Sequence, residues 1–531
     1  MLARFYASRG HAPAWLGAKG PLPVADAALA ELRAAPAHGL ASDDYMPQPI
    51  ADGPADTGAR NATDWARADI ALTAAFLAYL GDLRHGRITA AQAGYRIPRV
   101  DARLDAARAL GDALAIGRIA DAVAAAEPAF PAYRRLVAAL AKYDALAEVD
   151  WPPLPPPDAR SVRPGENYRG TPLLRVRLRW LGDLSDDGSD APDERYDDAL
   201  ALAVTRFQAR HGLAEDGILG PATRAALDVR PAARVRQIAL SLERLRWLPP
   251  LAPGPVVAIN VPSYRLWAFV GASATPEAQS MPVIVGRSVT GMQTPVFIAE
   301  MRSIEFSPYW NVPPSIARNE IVPRLRRDPG YLAREAMEIV GSRDDRVLDL
   351  PLDAATLARI TGGELRIRQR PGPQNALGGI KFVLPNAMNI YLHGTPQVLL
   401  FAQARRDFSH GCIRVAEPVA LARFALRNDP AWTESRMQAA MHAERPERVP
   451  LPRPIPVVIF YTTAIVDDQA RAHFLPDIYG FDARLERALA AARRATSGFD
   501  SRNRLPAAHA SRIDVNEIGR RVIPDATGAK R

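Results

Sequence analysis

A chain of 531 residues with 48% hydrophobic and 24% charged residues has room for about two to four domains with their own cores and the make-up of a globular protein. The net charge of +9 is carried almost wholly by arginine, lysine standing only at Lys19, Lys142, Lys381 and Lys530, and the bases are scattered among acids. No basic run alternates with aromatics, so nucleic acid is not expected as a partner; the charge suits an anionic polymer or reflects sequence bias. The first residues, Met1 to Tyr6 followed by Arg9 and His11, contain neither an apolar h-region nor a small-residue cleavage site, and no apolar run reaches the roughly eighteen residues of a membrane span.

Residues 1–150 are rich in alanine and leucine and are read as a helical domain, with helices over Trp65–Leu80 and Ala102–Ala125 and with Tyr6, Trp15 and Tyr45 near its start. The run Trp151-Pro152-Pro153-Leu154-Pro155-Pro156-Pro157 is stiff, so 151–168 is read as a proline-rich linker. Within 169–230, Leu174, Leu178 and Leu181 recur at helical spacing. Asp197 and Asp198 start a second helix with Leu200, Val204 and Phe207 on one face, and Gly212 ends it. Asp216-Gly217 makes a turn, and Gly220-Pro221 launches a third helix through Leu227. Residues 231–252 read as an arginine-rich linker helix stopping before Pro249-Pro250.

From 253 the pattern changes to strands: Val256–Val261 and Tyr264–Phe269 as a hairpin, then Met281–Gly286, Arg302–Ser307, Ile380–Leu384 and Asn389–His393. Between them, 312–379 is helical and polar, bounded by Pro313-Pro314 and Pro371-Gly372-Pro373, and is expected to be a lid or capping insertion. A helix over Pro418–Arg427 and returning strands at Pro456–Tyr461, Phe474 and Asp477–Tyr479 complete a β-rich domain over 253–497. The polar, aperiodic tail 498–531 is expected to be disordered. No fixed-period repeat, glycine-rich phosphate loop or zinc signature occurs, so no metal or organic cofactor is expected.

Chemistry concentrates at Cys412, the only cysteine, in Ser409-His410-Gly411-Cys412-Ile413-Arg414-Val415. No internal disulfide is possible, which fits an oxidising compartment. A thiol needs a base or cation to become a nucleophile near neutral pH. His393, at the end of a strand containing Tyr391 and followed by Gly394, lies across a loop that can fold back to Cys412, and His410 is adjacent; the residues alone do not say which histidine is the base. Gly411 lets the backbone turn so that its own N–H and that of Cys412 face a developing oxyanion. Arg414 could hold a carboxylate or depress the thiol pKa, or could pair with Glu417 or Asp407.

His393-Gly394-Thr395, fifteen intervening residues from His393 to Ser409, and then SHGCIRV resemble the signature of the L,D-transpeptidases with a YkuD-type catalytic domain. The resemblance implies Cys412 as acylated nucleophile, His393 as base oriented by the Gly394 carbonyl, His410 and Gly411 lining the catalytic turn, and Arg414, Ser409 and Tyr391 facing substrate. Pro308-Tyr309-Trp310-Asn311-Val312-Pro313-Pro314 resembles the family's entry to the insertion, placing Trp310 and Asn311 at the cleft. Residues 169–230 look like a three-helix peptidoglycan-binding domain through Ala203-Val204, Phe207-Gln208, Gly212-Leu213, Asp216-Gly217, Gly220, Thr223 and Leu227, and residues 1–150 resemble the helical scaffold of the larger YcbB-type members.

The implied fold class is multidomain α+β. The implied partners are peptidoglycan stem peptides, a tetrapeptide donor and an acceptor diamino acid joined 3→3 without a cofactor. An L,D-carboxypeptidase or hydrolase, an enzyme attaching an outer-membrane protein, or an inert wall-binding scaffold are the alternatives. Carbapenems are implied as acylating agents, and the periplasm or cell envelope as the location, which calls for an export signal or anchor not visible in this sequence.

Overall fold

The computed structural model describes residues 1–497 apart from 18–19, 48–61, 99–103, 186–193, 251–253 and 272–277; the expected disordered tail lies outside the described residues. The chain divides into two compact units, one formed by residues 1–250 with 462 onward and the other by residues 251–461.

In the first unit, helices Leu2–Ser8, Pro23–Arg33, Ala62–His85, Ala106–Ala115, Ile119–Ala126, Pro131–Ala147 and Pro231–Arg246 bury one core that includes Phe5, Trp15, Leu32, Phe76, Leu80 and Leu136. The helix expected over 102–125 is broken into two: Asp105 caps the first by accepting from the Arg108 N–H, and Gly117, at φ +69, separates them. Asp69 is buried and accepts from the Tyr6 hydroxyl at 2.6 Å and the Trp15 N–H at 2.8 Å, which ties the first residues to the long helix 62–85.

Helix 231–246 is not a linker. Ile238, Leu242 and Leu245 belong to the same core, and Glu243 and Arg246, both inaccessible to solvent, pair at 3.1 Å inside it. A buried charge is tolerable only when compensated, and the Arg87 N–H at 2.7 Å adds to the neutralisation of Glu243.

Residues 171–227 carry a separate core of Leu174, Leu178, Leu200, Val204, Phe207 and Leu227 on helices Thr171–Leu181, Asp198–Arg210 and Pro221–Leu227. Asp197 caps the second helix through the Leu200 N–H at 2.8 Å, and proline opens the third. The segment 151–168 is extended but packed rather than free: Leu154, Val162 and Tyr168 join this core, Val162 bridges to Leu219, and Trp151 donates to the Leu227 carbonyl.

The C-terminal boundary also differs from expectation. Strands 464–466 and 472–474 pair antiparallel, and Val466, Ala472 and Phe474 lie in the core of the first unit. Asp477–Tyr479 is a turn rather than a strand, because the Asp477 carboxylate accepts from the Phe481 and Asp482 N–H groups and starts helix Phe481–Ser497.

The second unit is built on strands β1 (Val256–Asn260), β2 (Arg265–Phe269), β3 (Ala278–Gly286), β4 (Phe297–Phe306), β5 (Trp310–Asn311), β6 (Met337–Gly341), β7 (Leu365–Gln369), β8 (Ile380–Val383), β9 (Leu392–His393), β10 (Asp407–Ser409), β11 (Ile413–Val415) and β12 (Glu447–Phe460). Nine of them form one sheet in the order β10-β3-β11-β9-β8-β4-β12-β1-β2, and β2 pairs with β3 so that the sheet closes on itself. β1 and β2 form the expected hairpin around Pro262-Ser263.

The insertion is not purely helical. Strands β5, β7 and β6 make a separate three-stranded antiparallel sheet, covered by short helices and helix Ala354–Gly362 around Val312, Ile321, Ile339, Leu357, Leu365 and Ile367. Its arginine-rich strand β7 alternates buried Leu365, Ile367 and Gln369 with half-buried Arg366 and Arg368, a period of two that a polar helical reading misses.

Candidate active site

The strand expected over 389–393 pairs only at Leu392 and His393. The Asn386 side-chain oxygen takes the Met388 and Ile390 N–H groups at 3.0 and 3.2 Å, and Asn389 is held at φ +54, so the chain turns before it enters β9. β9 then runs parallel to β11, Leu392 opposite Ile413 and His393 opposite Arg414. By this register Tyr391 stands level with Cys412. Because side chains alternate along a strand, Tyr391, His393, Cys412 and Arg414 project from one face.

The partly exposed Cys412 Sγ lies 3.6 Å from the Asn389 carbonyl, and the backbone N–H and hydroxyl of Tyr391 are the nearby donors that favour its thiolate. Burial pushes the thiol above its ordinary range; these two donors and the charges of Lys381 and Arg414 pull the other way without overcoming it. Burial raises the Tyr391 pKa, and Trp310, on β5, pulls it the other way. Lys381 sits 4.9 Å from the centre of the Tyr391 ring and 3.4 Å from Glu305.

His393 is buried, and its Nδ1 lies 2.6 Å from the Gly394 carbonyl. A carbonyl only accepts, so Nδ1 carries the proton and Nε2 is the bare nitrogen of a neutral ring. Burial, reinforced by Arg414 and Lys381, pushes the imidazolium pKa down to about 3 against the Gly394 hydrogen bond. Among the described residues no hydrogen bond joins this ring to the thiol; the two meet as diagonal neighbours on adjacent strands.

The turn before Cys412 departs from expectation in two places. The Gly411 N–H is not free for an oxyanion: it donates to the Ser409 Oγ at 3.1 Å, and that hydroxyl donates to the Cys412 carbonyl at 2.6 Å. Ser409 is therefore buried in the turn rather than facing substrate. Gly411 has φ +117, where an L side chain is strained, and an added Cβ would stand 3.3 Å from the Ile390 side chain. Thr294, not anticipated from the sequence, holds the turn from beneath, donating to the Gly411 carbonyl at 2.8 Å while accepting from the Gly286 N–H at 2.8 Å.

His410 turns away from the sulfur and pairs through Nε2 with Glu320, on the π-helical turn Ala317–Ile321 of the insertion. Arg414 bonds Gln397 at 2.7 Å instead of Glu417 or Asp407, the latter being held by Arg405, Ser288 and Tyr264. Burial lowers the Arg414 pKa, and its Nε has no partner among the described residues. Asn311 is exposed in β5, in register with Arg368, while Trp310 beside it is half-buried.

Family profiles match this chain in three places: a scaffold domain over 1–140, a peptidoglycan-binding domain over 171–227 and the YkuD L,D-transpeptidase catalytic domain over 254–433. Residues 254–433 match an L,D-transpeptidase catalytic domain. A protein of Haemophilus influenzae, provisionally named an L,D-transpeptidase, is 30% identical over 250 residues, which is 47% of this chain and 49% of that protein. The chain thus aligns with about half the length of this curated relative. A solved structure from Clostridium acetobutylicum, described as a fused Zn-dependent amidase/peptidase/peptidoglycan-binding domain-containing protein, aligns with 56% of this chain and 99% of its own at 11% identity, with a TM-score of 0.15. The L,D-transpeptidase domain holds all of the thiol-site residues named above and most of the capping insertion's sheet and helices.

Proposed function

We propose that the protein is a peptidoglycan L,D-transpeptidase of the cell envelope that forms 3→3 cross-links through a thioester on Cys412. The observation that carries this reading is the placement of a partly exposed thiol level with Tyr391, on the same sheet face as a neutral imidazole, in a segment that matches the family's catalytic-domain model. The thiol sulfur attacks the carbonyl of the third residue of a donor tetrapeptide, and its proton passes to His393 Nε2. The amide C–N bond breaks, His393 returns the proton to the departing D-alanine nitrogen, and the acyl group stays on sulfur. The side-chain amine of a second stem then attacks the thioester, loses its proton to His393 and releases the thiol. Gly394 fixes the imidazole. With the Gly411 N–H committed to Ser409, the Cys412 N–H is the donor assigned to the oxyanion. Arg414 is assigned to the substrate carboxylate, exchanging Gln397 for it.

Incubation with purified tetrapeptide-containing wall fragments, read by mass spectrometry of muropeptides, tests the reaction. Dimers with 3→3 links are expected. Trimmed tripeptides would make water the acceptor, a lysine-linked protein adduct would make the chain an anchoring enzyme, and unchanged fragments would leave a wall-binding scaffold.

The resting state is thiol plus neutral imidazole rather than a thiolate–imidazolium pair, because burial raises the one pKa and lowers the other to about 3. Since the thiolate fraction rises about tenfold per pH unit below its pKa, the rate of Cys412 alkylation by iodoacetamide should climb continuously from pH 5 to above 9. A plateau beginning near pH 5 would indicate a preformed ion pair and contradict this reading.

Glu320 links the insertion to the catalytic turn. Replacing Glu320 with glutamine removes a charge-assisted contact with His410 and should lower turnover of wall fragments roughly tenfold. Thiol alkylation should be spared, because neither group bonds the sulfur; equal loss of both would mean that the contact merely supports the fold.

A further inference from the structure

The N-terminal unit contains a cavity of about 400 Å³ that none of the catalytic chemistry uses. It lies between the end of helix 62–85 with the turn that follows, the segment 128–130, and Trp247 to Pro250 at the end of helix 231–246. Such a volume falls within the range of roughly 300–1,000 Å³ common to small-ligand sites.

Its charge is one-sided. Arg84, Arg87 and Arg246 line it, whereas among the described residues no aspartate or glutamate does. Glu243, a carboxylate behind the wall, accepts from Arg246 and from the Arg87 N–H and stands 3.6 Å from Arg87 Nε. Three guanidinium groups against two carboxylates, Glu243 and the buried Asp82 that feels Arg87 and Arg246, leave an excess of one positive charge. Buried nitrogens on each arginine have no hydrogen-bond partner among the described residues: Nε of Arg84, Nε and one terminal nitrogen of Arg87, and Nε of Arg246. Burial alone lowers the Arg84 pKa, as expected for a desolvated cation without an anion beside it. The remaining wall is mixed, with His85, Thr89 and Gln92 among apolar residues, and the Trp247 indole N–H is already given to the Ile88 carbonyl at 2.8 Å, which leaves that ring to offer only apolar surface.

We propose that this cavity is a binding site for a short acidic peptide, its carboxylate held by Arg84 and Arg87 and its apolar part against Phe130 and Trp247. Guanidinium groups match carboxylates in geometry as well as charge. Both terminal nitrogens of Arg246 are engaged, by Glu243, the His38 carbonyl and the Tyr133 hydroxyl, so it shapes the floor and contributes field rather than a movable contact. The site is independent of the thiol and of the reaction proposed for it.

Calorimetric titration of the full chain, with Cys412 alkylated, provides the test; the probes are N-acetyl-alanyl-glutamate, its diamide and inorganic phosphate. The acidic peptide should bind at one site and the diamide should not. Arg84→Gln and Arg87→Gln should each weaken binding by about tenfold or more, while the unmodified variants retain the alkylation rate of Cys412. Ala129→Trp, which adds bulk at an exposed lining position, should also block binding and serves if an arginine variant does not fold. No binding, binding of phosphate without the peptide, or peptide affinity unchanged in these variants would each overturn the proposal.

Discussion

Cys412→Ala abolishes covalent capture of donor peptide or carbapenem, leaving no adduct in intact-mass spectra. In the proposed reaction the sulfur carries the acyl group, and the Tyr391 hydroxyl is a poor substitute: burial and the neighbouring thiol push it far above its ordinary pKa, so it stays protonated. The change removes one atom at a partly exposed position, so the melting temperature and the retention on purified sacculi should match the parent chain. An adduct on the alanine variant would refute the assignment of the nucleophile.

His393→Ala lowers turnover by about 10² to 10⁴, the usual contribution of a general base. The effect should reside in kcat, because the imidazole is buried, with its Nδ1 side closed by Gly394, and is assigned to proton transfer rather than to holding substrate. His410→Ala should cost less, since its ring is engaged with Glu320. The ranking is checked by measuring kcat and KM for D-alanine release in both variants; a larger kcat loss in the His410 variant would exchange the two roles.

Local chemistry was readable wherever it decided local structure. Asp197 as a cap, Gly220-Pro221 as a helix start and the hairpin about Pro262-Ser263 were all read from residue type and spacing, because each acts on neighbours a few positions away. The sequence also brought Cys412, His393 and Tyr391 to attention. It could not show that Tyr391 stands level with the sulfur, since that depends on the register of two parallel strands joined by a long loop. Thr294 and Glu320 were missed for the same reason: each reaches the catalytic turn from a distant segment.

Gly411 and Ser409 were misassigned because glycine flexibility says where a chain can turn, not which donor the turn consumes. The insertion's sheet was hidden by arginine at its outward positions, and helix 231–246 by charges that the fold buries in pairs.

The division of the chain gives the two units different folding schedules. The catalytic unit is a continuous stretch, whereas the core formed by Phe5, Phe76 and Ile238 is completed by Val466, Ala472 and Phe474, which are synthesised only after it. Until those residues arrive, the helical unit exposes apolar surface that its own amino-terminal part cannot cover. The long-range closure must wait for the whole intervening domain. A vectorially made chain therefore has a window in which its first-made part is not yet able to complete its core.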